Sequence, residues 1–367
     1  MTRRWKIVRT DRELECPMID SVLREKGAEL VLLPDGISEG ELLEHTRDAD
    51  LILMCYTPIT ARIINAATRL KAIVKYGVGI DAIDIEAAVV RGVAVVNVPE
   101  YAEETVAEGA FMLMIALAKR LRPIHEAMQG QGWVWPGGRW LASDIAEKTV
   151  GLVGVGRIGK SMARMAGAGF RAHVLGYDPN VQAAEMAASG VEKCDDLEAM
   201  LGRCDFVSLH AVLNAQTRHL FSGRQFAAMK SSAFLINVSR GALVDESALL
   251  DALATGQIAG AGLDVYGIEP INRENHPLRA LYGMDNVLLM PHLTFFTHEA
   301  MARLELETLE RCFEALEGRP VLIKSGDPRL AGQKNGVRFA GSAQGNRAED
   351  TGTKDDLAIS SPQETSQ

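Results

Sequence analysis

The 367-residue chain has few cysteines, no long apolar run and no excess of basic charge, and each absence removes a class of protein. Its five cysteines, Cys16, Cys55, Cys194, Cys204 and Cys312, lie far apart with no CxxC pair. That argues against a zinc site or a disulfide framework and for reduced thiols in the cytoplasm, with no metal expected. The longest apolar run, Phe111 to Ala118, stops short of the ~18 residues that a membrane span needs, and reads as a buried helix. A net charge of −9 is unfavourable to a nucleic-acid partner. Arg3, Arg4 and Lys6 form too short a cluster for a phosphate-binding arm or a transit peptide. Neither nucleic acid nor membrane is therefore expected as a partner.

What is present is a regular alternation. With 47% apolar residues the chain is not disordered, and its length exceeds one typical core, so two domains are the first expectation. Short β-like runs at 6–9, 29–33, 51–54, 72–75 and 93–98 alternate with helical stretches at 19–26, 39–45, 61–67 and 85–91. Five strands with intervening helices imply a parallel sheet covered on both faces. A long helix at 103–121 follows, with capping-box spacing at Thr105 and Glu108. Residues 130–141, GQGWVWPGGRWL, read as a Gly- and Trp-rich loop that either packs on its own chain or anchors on another surface. The rhythm then returns, with strands expected at 205–209, 233–237, 258–265 and 287–290. Helices are expected at 223–229, 246–254 and 298–317, the last placed to return the chain to the first domain. Beyond about 330 the sequence is rich in Gly, Ser, Gln, Asp and Lys, and residues 331–367 are expected to be a disordered tail.

The second half is organised around VGLVGVGRIG at 150–159. An apolar run leads into Gly154, Gly156 and Gly159 at GxGxxG spacing, and a helix-compatible run follows. Gly154 permits the tight turn, Gly156 lets a pyrophosphate approach the backbone, and Gly159 lets the helix pack on its strand. The next apolar run ends in Asp178, about twenty residues on, where a carboxylate accepts hydrogen bonds from the ribose hydroxyls of NAD and repels the 2′-phosphate of NADP. Strand, turn, helix, strand and acid in that order point to NAD binding.

Several further motifs, YGVGIDAID at 76–84, VAEGA at 106–110, NVSRGALVDE at 237–246, GLDVYGIEP at 262–270 and PH at 291–292, join that fingerprint. Together they resemble the D-isomer-specific 2-hydroxyacid dehydrogenase family, which includes phosphoglycerate dehydrogenases and glyoxylate or hydroxypyruvate reductases. The likeness runs over about residues 50 to 320. It implies an α/β architecture of two doubly wound parallel-sheet domains: a flavodoxin-like substrate domain from 1–101 and 296–330, and a Rossmann NAD-binding domain from 102–295. It also implies a catalytic trio of Arg240, Glu269 and His292. For the cofactor it implies Arg157 and Ile158 over the pyrophosphate, Val238, Ser239 and Asp264 at the nicotinamide, and Thr105 as a further contact. For the substrate it implies Lys75, Tyr76, Val78 and Gly79, with the amides of Val78 and Gly79 on the carboxylate, besides Arg240 and His292.

The trio also makes chemical sense. Reducing a 2-oxo acid needs a fixed cation, a proton donor and a hydride source. The planar fork of Arg240 suits the carboxylate and polarises the carbonyl. An imidazole such as His292 exchanges a proton near neutral pH, and Glu269 beside it favours the charged form. His210, by contrast, reads as a buried, hydrogen-bonded histidine. Departures from the family pattern are Val212, Ala82, Lys75 in place of a common Arg, and Phe295 and Phe296 where small residues are common. The last two are expected to narrow the pocket or make it apolar, and Lys75 weakens the case for a phosphorylated substrate. The expectation is an NAD-dependent dehydrogenase of a small 2-oxo or 2-hydroxy acid, acting as a homodimer. The alternatives are D-3-phosphoglycerate dehydrogenase and an NAD-sensing, corepressor-like interaction protein.

Overall fold

Short apolar runs of four residues make poor isolated elements but good interior strands, and the structure uses them so. It is a computed structural model, describing residues 4–341. The chain divides into two units, Met1–Tyr101 with Met301–Gln367, and Ala102–Ala300. The return therefore falls at 300/301 rather than at 295/296. Leu293 and Thr294, just before the return, are tied by hydrogen bonds to Asp264 of the second unit.

In the first unit, β1 (Lys6–Arg9), β2 (Glu29–Leu32), β3 (Leu51–Met54), β4 (Ala72–Lys75) and β5 (Ala94–Asn97) form one parallel sheet in the order β2-β1-β3-β4-β5. This is the flavodoxin-like order, whose reversal lies between β1 and β3. All four residues of β3, β4 and β5 are buried, as parallel strands covered on both faces must be. The helices between them have sequence-encoded ends. Ser38 and Glu41 close a capping box on helix Glu39–Thr46, Asp84 caps Ile85–Arg91, and Gly92 ends it at φ 67°.

In the second unit, β6 (Thr149–Val153), β7 (His173–Tyr177), β8 (Glu192–Lys193), β9 (Phe206–Leu209), β10 (Phe234–Asn237), β11 (Gly260–Leu263) and β12 (Val287–Leu289) form a seven-stranded parallel sheet in the order β12-β11-β10-β9-β6-β7-β8. The order reverses between β6 and β9, the crevice where doubly wound sheets bind dinucleotides. One core cluster, with Leu113, Met114, Val150, Met162 and Ile236, includes residues of helix Glu103–Ala118. The other gathers Leu209, Phe221, Phe226, Leu235, Leu249 and Leu263.

Three expectations fail here. The long helix is not continuous to Leu121: it ends at Ala118, Arg120 takes a left-handed φ of 51°, and a second helix runs Leu121–Gln131. Thr105 and Glu108 do not cap it, because it begins at Glu103 behind Ala102, which makes no side-chain cap bond. Residues 331–341 are ordered. β13 (Val321–Ile323) and β14 (Val337–Phe339) pair in parallel, and the Gln333 side chain both donates to and accepts from the backbone of Val95. The remainder of the expected tail lies outside the described residues. Among the described residues no helix is long and apolar enough to cross a membrane.

Candidate active site

The C-terminal edge of the second sheet carries many of the residues the sequence singled out, several of them directly after a strand. Gly154 follows β6, Asp178 follows β7, His210 follows β9, Val238 follows β10 and Asp264 follows β11. The three fingerprint glycines have distinct physical roles. At Gly154, with φ 93°, a Cβ would stand 2.6 Å from the backbone nitrogen of Ala211, and at Gly159 one would stand 2.4 Å from the Gly154 carbonyl oxygen. At Gly156 a Cβ meets nothing within 4 Å. Two glycines therefore allow chain to pack on chain. The third, at the start of helix Arg157–Arg164, leaves the backbone open to an outside group, which is what a pyrophosphate needs. These residues fit NAD.

Asp178 accepts from the N–H of Val155 at 3.0 Å and of Asn180 at 2.9 Å, so the same carboxylate that suits the ribose also braces the fingerprint turn. Arg157 ion-pairs through Nε with Glu103 at 2.8 Å. Ile158 is half-buried beside it, Thr105 is buried in the first turn of its helix, and Val238 is buried behind Ser239, whose hydroxyl donates to the Ala211 carbonyl at 2.7 Å. His210 bonds Ser208 Oγ through Nε2 at 2.9 Å, while its Nδ1 has no partner among the described residues. Burial lowers its pKa to about 4, so it stays neutral near pH 7.

The trio converges within this unit. His292 Nδ1 lies 2.8 Å from Glu269 Oε2, and the other oxygen of Glu269 accepts from the Tyr266 N–H at 2.9 Å. Burial pushes the Glu269 carboxyl up, but the hydrogen bond and charge of His292, the Tyr266 N–H and the charge of Arg240 together hold it below its ordinary value. Glu269 is thus a carboxylate electrostatically coupled to both other members. Arg240 is half-buried, and Asn237 fixes its turn by donating to the Arg240 carbonyl at 2.9 Å and accepting from the Ser239 N–H at 3.1 Å.

Some determinants are not visible as motif chemistry. Gly241 is one: a Cβ there would stand 1.9 Å from the Tyr266 carbonyl carbon, so the Arg240 turn and the loop bearing Glu269 touch backbone to backbone. His292 itself has φ 59°, a left-handed conformation rare outside glycine and one that costs on the order of 1–3 kcal/mol. Its neighbours enforce it. The Met290 N–H donates to Leu263, and Asp264 accepts from the N–H of Leu293 at 2.9 Å, the N–H of Thr294 at 3.1 Å and the Thr294 hydroxyl at 2.6 Å. Asp264, expected at the nicotinamide, is 0% exposed, and its carboxylate is committed to the loop that carries His292. Phe295 packs edge-on to the His292 ring with centroids 6.4 Å apart, while Phe296 remains exposed.

The expected substrate contacts of the first unit separate into two kinds. Tyr76 is wholly buried, and its hydroxyl donates to the Thr10 carbonyl at 2.5 Å, which makes the side chain a core element rather than a substrate contact. Lys75 is also buried. Its ammonium donates to the Cys55 carbonyl and to Cys55 Sγ at 3.2 Å, and lies 5.3 Å from the Tyr56 ring centre. Val78, by contrast, is exposed and Gly79 half-buried at the end of β4.

Residues 111–294 match the family described as D-isomer specific 2-hydroxyacid dehydrogenase, NAD binding domain. Among curated proteins, the chain is 38% identical over 298 residues to a D-3-phosphoglycerate dehydrogenase of Methanocaldococcus jannaschii, covering 81% of this chain and 55% of that one. It is 38% identical over 270 residues to a glyoxylate reductase of Korarchaeum cryptofilum, covering 73% of this chain and 80% of that one. The chain thus spans little more than half the length of the former relative. Among solved structures, a D-lactate dehydrogenase from Aquifex aeolicus complexed with NAD and lactic acid is similar at 29% identity and a TM-score of 0.75, over 85% of this chain and 96% of that one. The chain belongs to the D-isomer specific 2-hydroxyacid dehydrogenase family, and its second unit carries the NAD-binding fold of that family.

Proposed function

We propose that the protein is an NAD-dependent D-2-hydroxyacid dehydrogenase interconverting a small, unphosphorylated 2-oxo acid, such as hydroxypyruvate or glyoxylate, and its D-2-hydroxy acid. The observation that carries this reading is the 2.8 Å contact of His292 with Glu269, a carboxylate that also feels the charge of Arg240. When bound, NAD accepts or supplies the hydride. Arg240 holds the substrate carboxylate and polarises the neighbouring carbonyl. With Nδ1 engaged by Glu269, His292 exchanges the proton of the substrate oxygen through Nε2, and Glu269 stabilises the imidazolium that remains in the oxidative direction. The N–H groups of Val78 and Gly79 are a further contact for the substrate carboxylate.

Two features favour a substrate without phosphate. Lys75 turns its ammonium inward onto Cys55, and the aromatic pair Phe295 and Phe296, with ring centres 6.0 Å apart, adjoins His292. We read the chain as a cytoplasmic homodimer, its five cysteines all being free. An apolar groove of the second unit, with Phe111, Met112, Ile115, Leu121 and Met165, and the exposed Trp133 and Trp135 are what a second copy covers. Sedimentation as a monomer overturns that.

The test of activity is NADH oxidation by the purified protein against glyoxylate, hydroxypyruvate, pyruvate, phenylpyruvate and phosphohydroxypyruvate. Turnover of an unphosphorylated acid, abolished in Arg240→Ala, is expected. Preference for phosphohydroxypyruvate transfers the reading to D-3-phosphoglycerate dehydrogenase. NADH binding without turnover of any acid transfers it to an NAD-sensing interaction protein.

A further inference from the structure

Asn97 closes β5 and is 2% exposed, yet its side-chain oxygen has no hydrogen-bond partner among the described residues. A buried, unsatisfied amide oxygen is costly, and an apolar side chain of similar volume would carry no such cost, so its presence asks for a reason. The reason lies in the other end of the amide. Asn97 Nδ2 donates to the Val78 carbonyl at 2.5 Å, and the next residue along, Val98, donates its N–H to the Gly77 carbonyl at 3.1 Å.

These two bonds orient two consecutive peptide planes. In a trans peptide the C=O and N–H point in opposite directions. Drawing the Gly77 carbonyl toward the end of β5 therefore turns the Val78 N–H away from it, and drawing the Val78 carbonyl the same way turns the Gly79 N–H away too. Gly77 supplies the turn with φ 144°. Neither N–H has an acceptor among the described residues. Two adjacent, outward, unsatisfied donors form an anion-binding concavity. A cation lies beneath it: a Cβ placed on Gly77 would stand 3.0 Å from Lys75 Nζ. The strand register fits, since Lys75 and Asn97 are paired across β4 and β5.

We infer that Asn97 is a positioning residue, whose side-chain amide aims the N–H groups of Val78 and Gly79 at the carboxylate of the substrate. This rests on the proposal that those two amides bind that carboxylate. Lys75 contributes through its field rather than by contact, because its ammonium is already bonded to Cys55.

The test uses the enzyme saturated with NADH and two inert probes of similar size, oxamate, which carries a carboxylate, and oxamide, which is neutral. Binding is read from NADH fluorescence. Wild type is expected to prefer oxamate clearly. Asn97→Ala and the space-filling Asn97→Leu are expected to weaken oxamate about tenfold while leaving oxamide, NADH affinity and Tm near wild type. The KM of the acid that is turned over should rise by a similar factor, as loss of uniform binding requires. Should wild type bind both probes alike, the carboxylate reading of the cradle fails. Should wild type discriminate and both variants keep the same ratio, the cradle stands and the role of Asn97 is refuted. If neither variant folds or binds NADH, the amide holds the fold rather than the cradle, which also overturns the inference.

Discussion

Replacing Asp264 by Asn preserves the shape of the side chain and removes its charge, which separates two roles for this residue. Its carboxylate accepts three hydrogen bonds, from Leu293 N–H, Thr294 N–H and Thr294 Oγ1. An asparagine offers one accepting oxygen and one donating nitrogen, so whichever way it turns, one backbone N–H faces another donor. Leaving a buried donor unsatisfied costs about 1–3 kcal/mol. That is comparable to the ~1–3 kcal/mol of strain held at a left-handed residue such as His292, so the imidazole is free to leave its position against Glu269. Taking about 2 kcal/mol as the loss, kcat falls about thirtyfold at about 1.4 kcal/mol per factor of ten. NADH affinity, measured by fluorescence titration, stays within about twofold. If instead NADH binding weakens by that factor and kcat of the saturated enzyme is untouched, Asp264 acts at the nicotinamide as the family resemblance implies, and the loop-pinning argument is wrong.

Three further outcomes follow from contacts of the same unit. Glu269 is held below its ordinary value despite burial, chiefly by its bond to His292, so its contribution to stability is complete above the ordinary glutamate range and is lost as pH falls through the folded value. Glu269→Gln keeps the shape of the side chain but removes the charge set against His292 Nδ1, and should therefore lower kcat/KM about tenfold or more; a wild-type kcat/KM rejects the pairing. At Gly109 a Cβ would stand 2.5 Å from Thr294 Cβ, so Gly109→Ala should cost about 1–3 kcal/mol of stability and depress kcat; a wild-type Tm and kcat would show that the loop yields freely. Asp178→Ser removes the charge set against a 2′-phosphate and should relax the preference for NADH over NADPH, whereas an unchanged ratio of the two kcat/KM values places the selectivity elsewhere.

Short buried strands and the GxGxxG turn are legible in the sequence because their signals are local: four apolar residues in a row, and glycines at fixed spacing. What is not legible depends on distant partners. The break at Arg120 is the exception, because Pro123 is tolerated only in the first turn of a helix and so marks a new start, which the left-handed φ of Arg120 makes. The two-residue β8 and the short helices Ala183–Ala188 and Leu197–Leu201 are too brief to show a period. Residues 331–341 hold only two large apolar side chains, the half-buried Val337 and Phe339, and much of their order comes from the backbone pairing of β14 and the two hydrogen bonds between Gln333 and Val95. Tyr76 sits inside a functional motif yet serves the core, where its hydroxyl is held by the Thr10 carbonyl, a partner 66 residues away in sequence.

The site follows the same division. Arg240, Glu269 and His292 are readable as chemistry, since a cation, a carboxylate and an imidazole after successive strands suit a 2-oxo acid. The means of holding them is readable only in space. The glycine of VAEGA, in helix Glu103–Ala118, makes room for Thr294. Thr294 gives two hydrogen bonds to Asp264 at the end of β11, and Leu293 gives a third. Those bonds set the backbone on the C-terminal side of His292, and Met290, bonded to Leu263, sets it on the other. Three motifs far apart in the chain, VAEGA, GLDV and PH, are therefore one device for keeping a histidine in a conformation it would not choose. Their joint presence has a mechanical cause: VAEGA and GLDV fix the position of the imidazole that PH supplies.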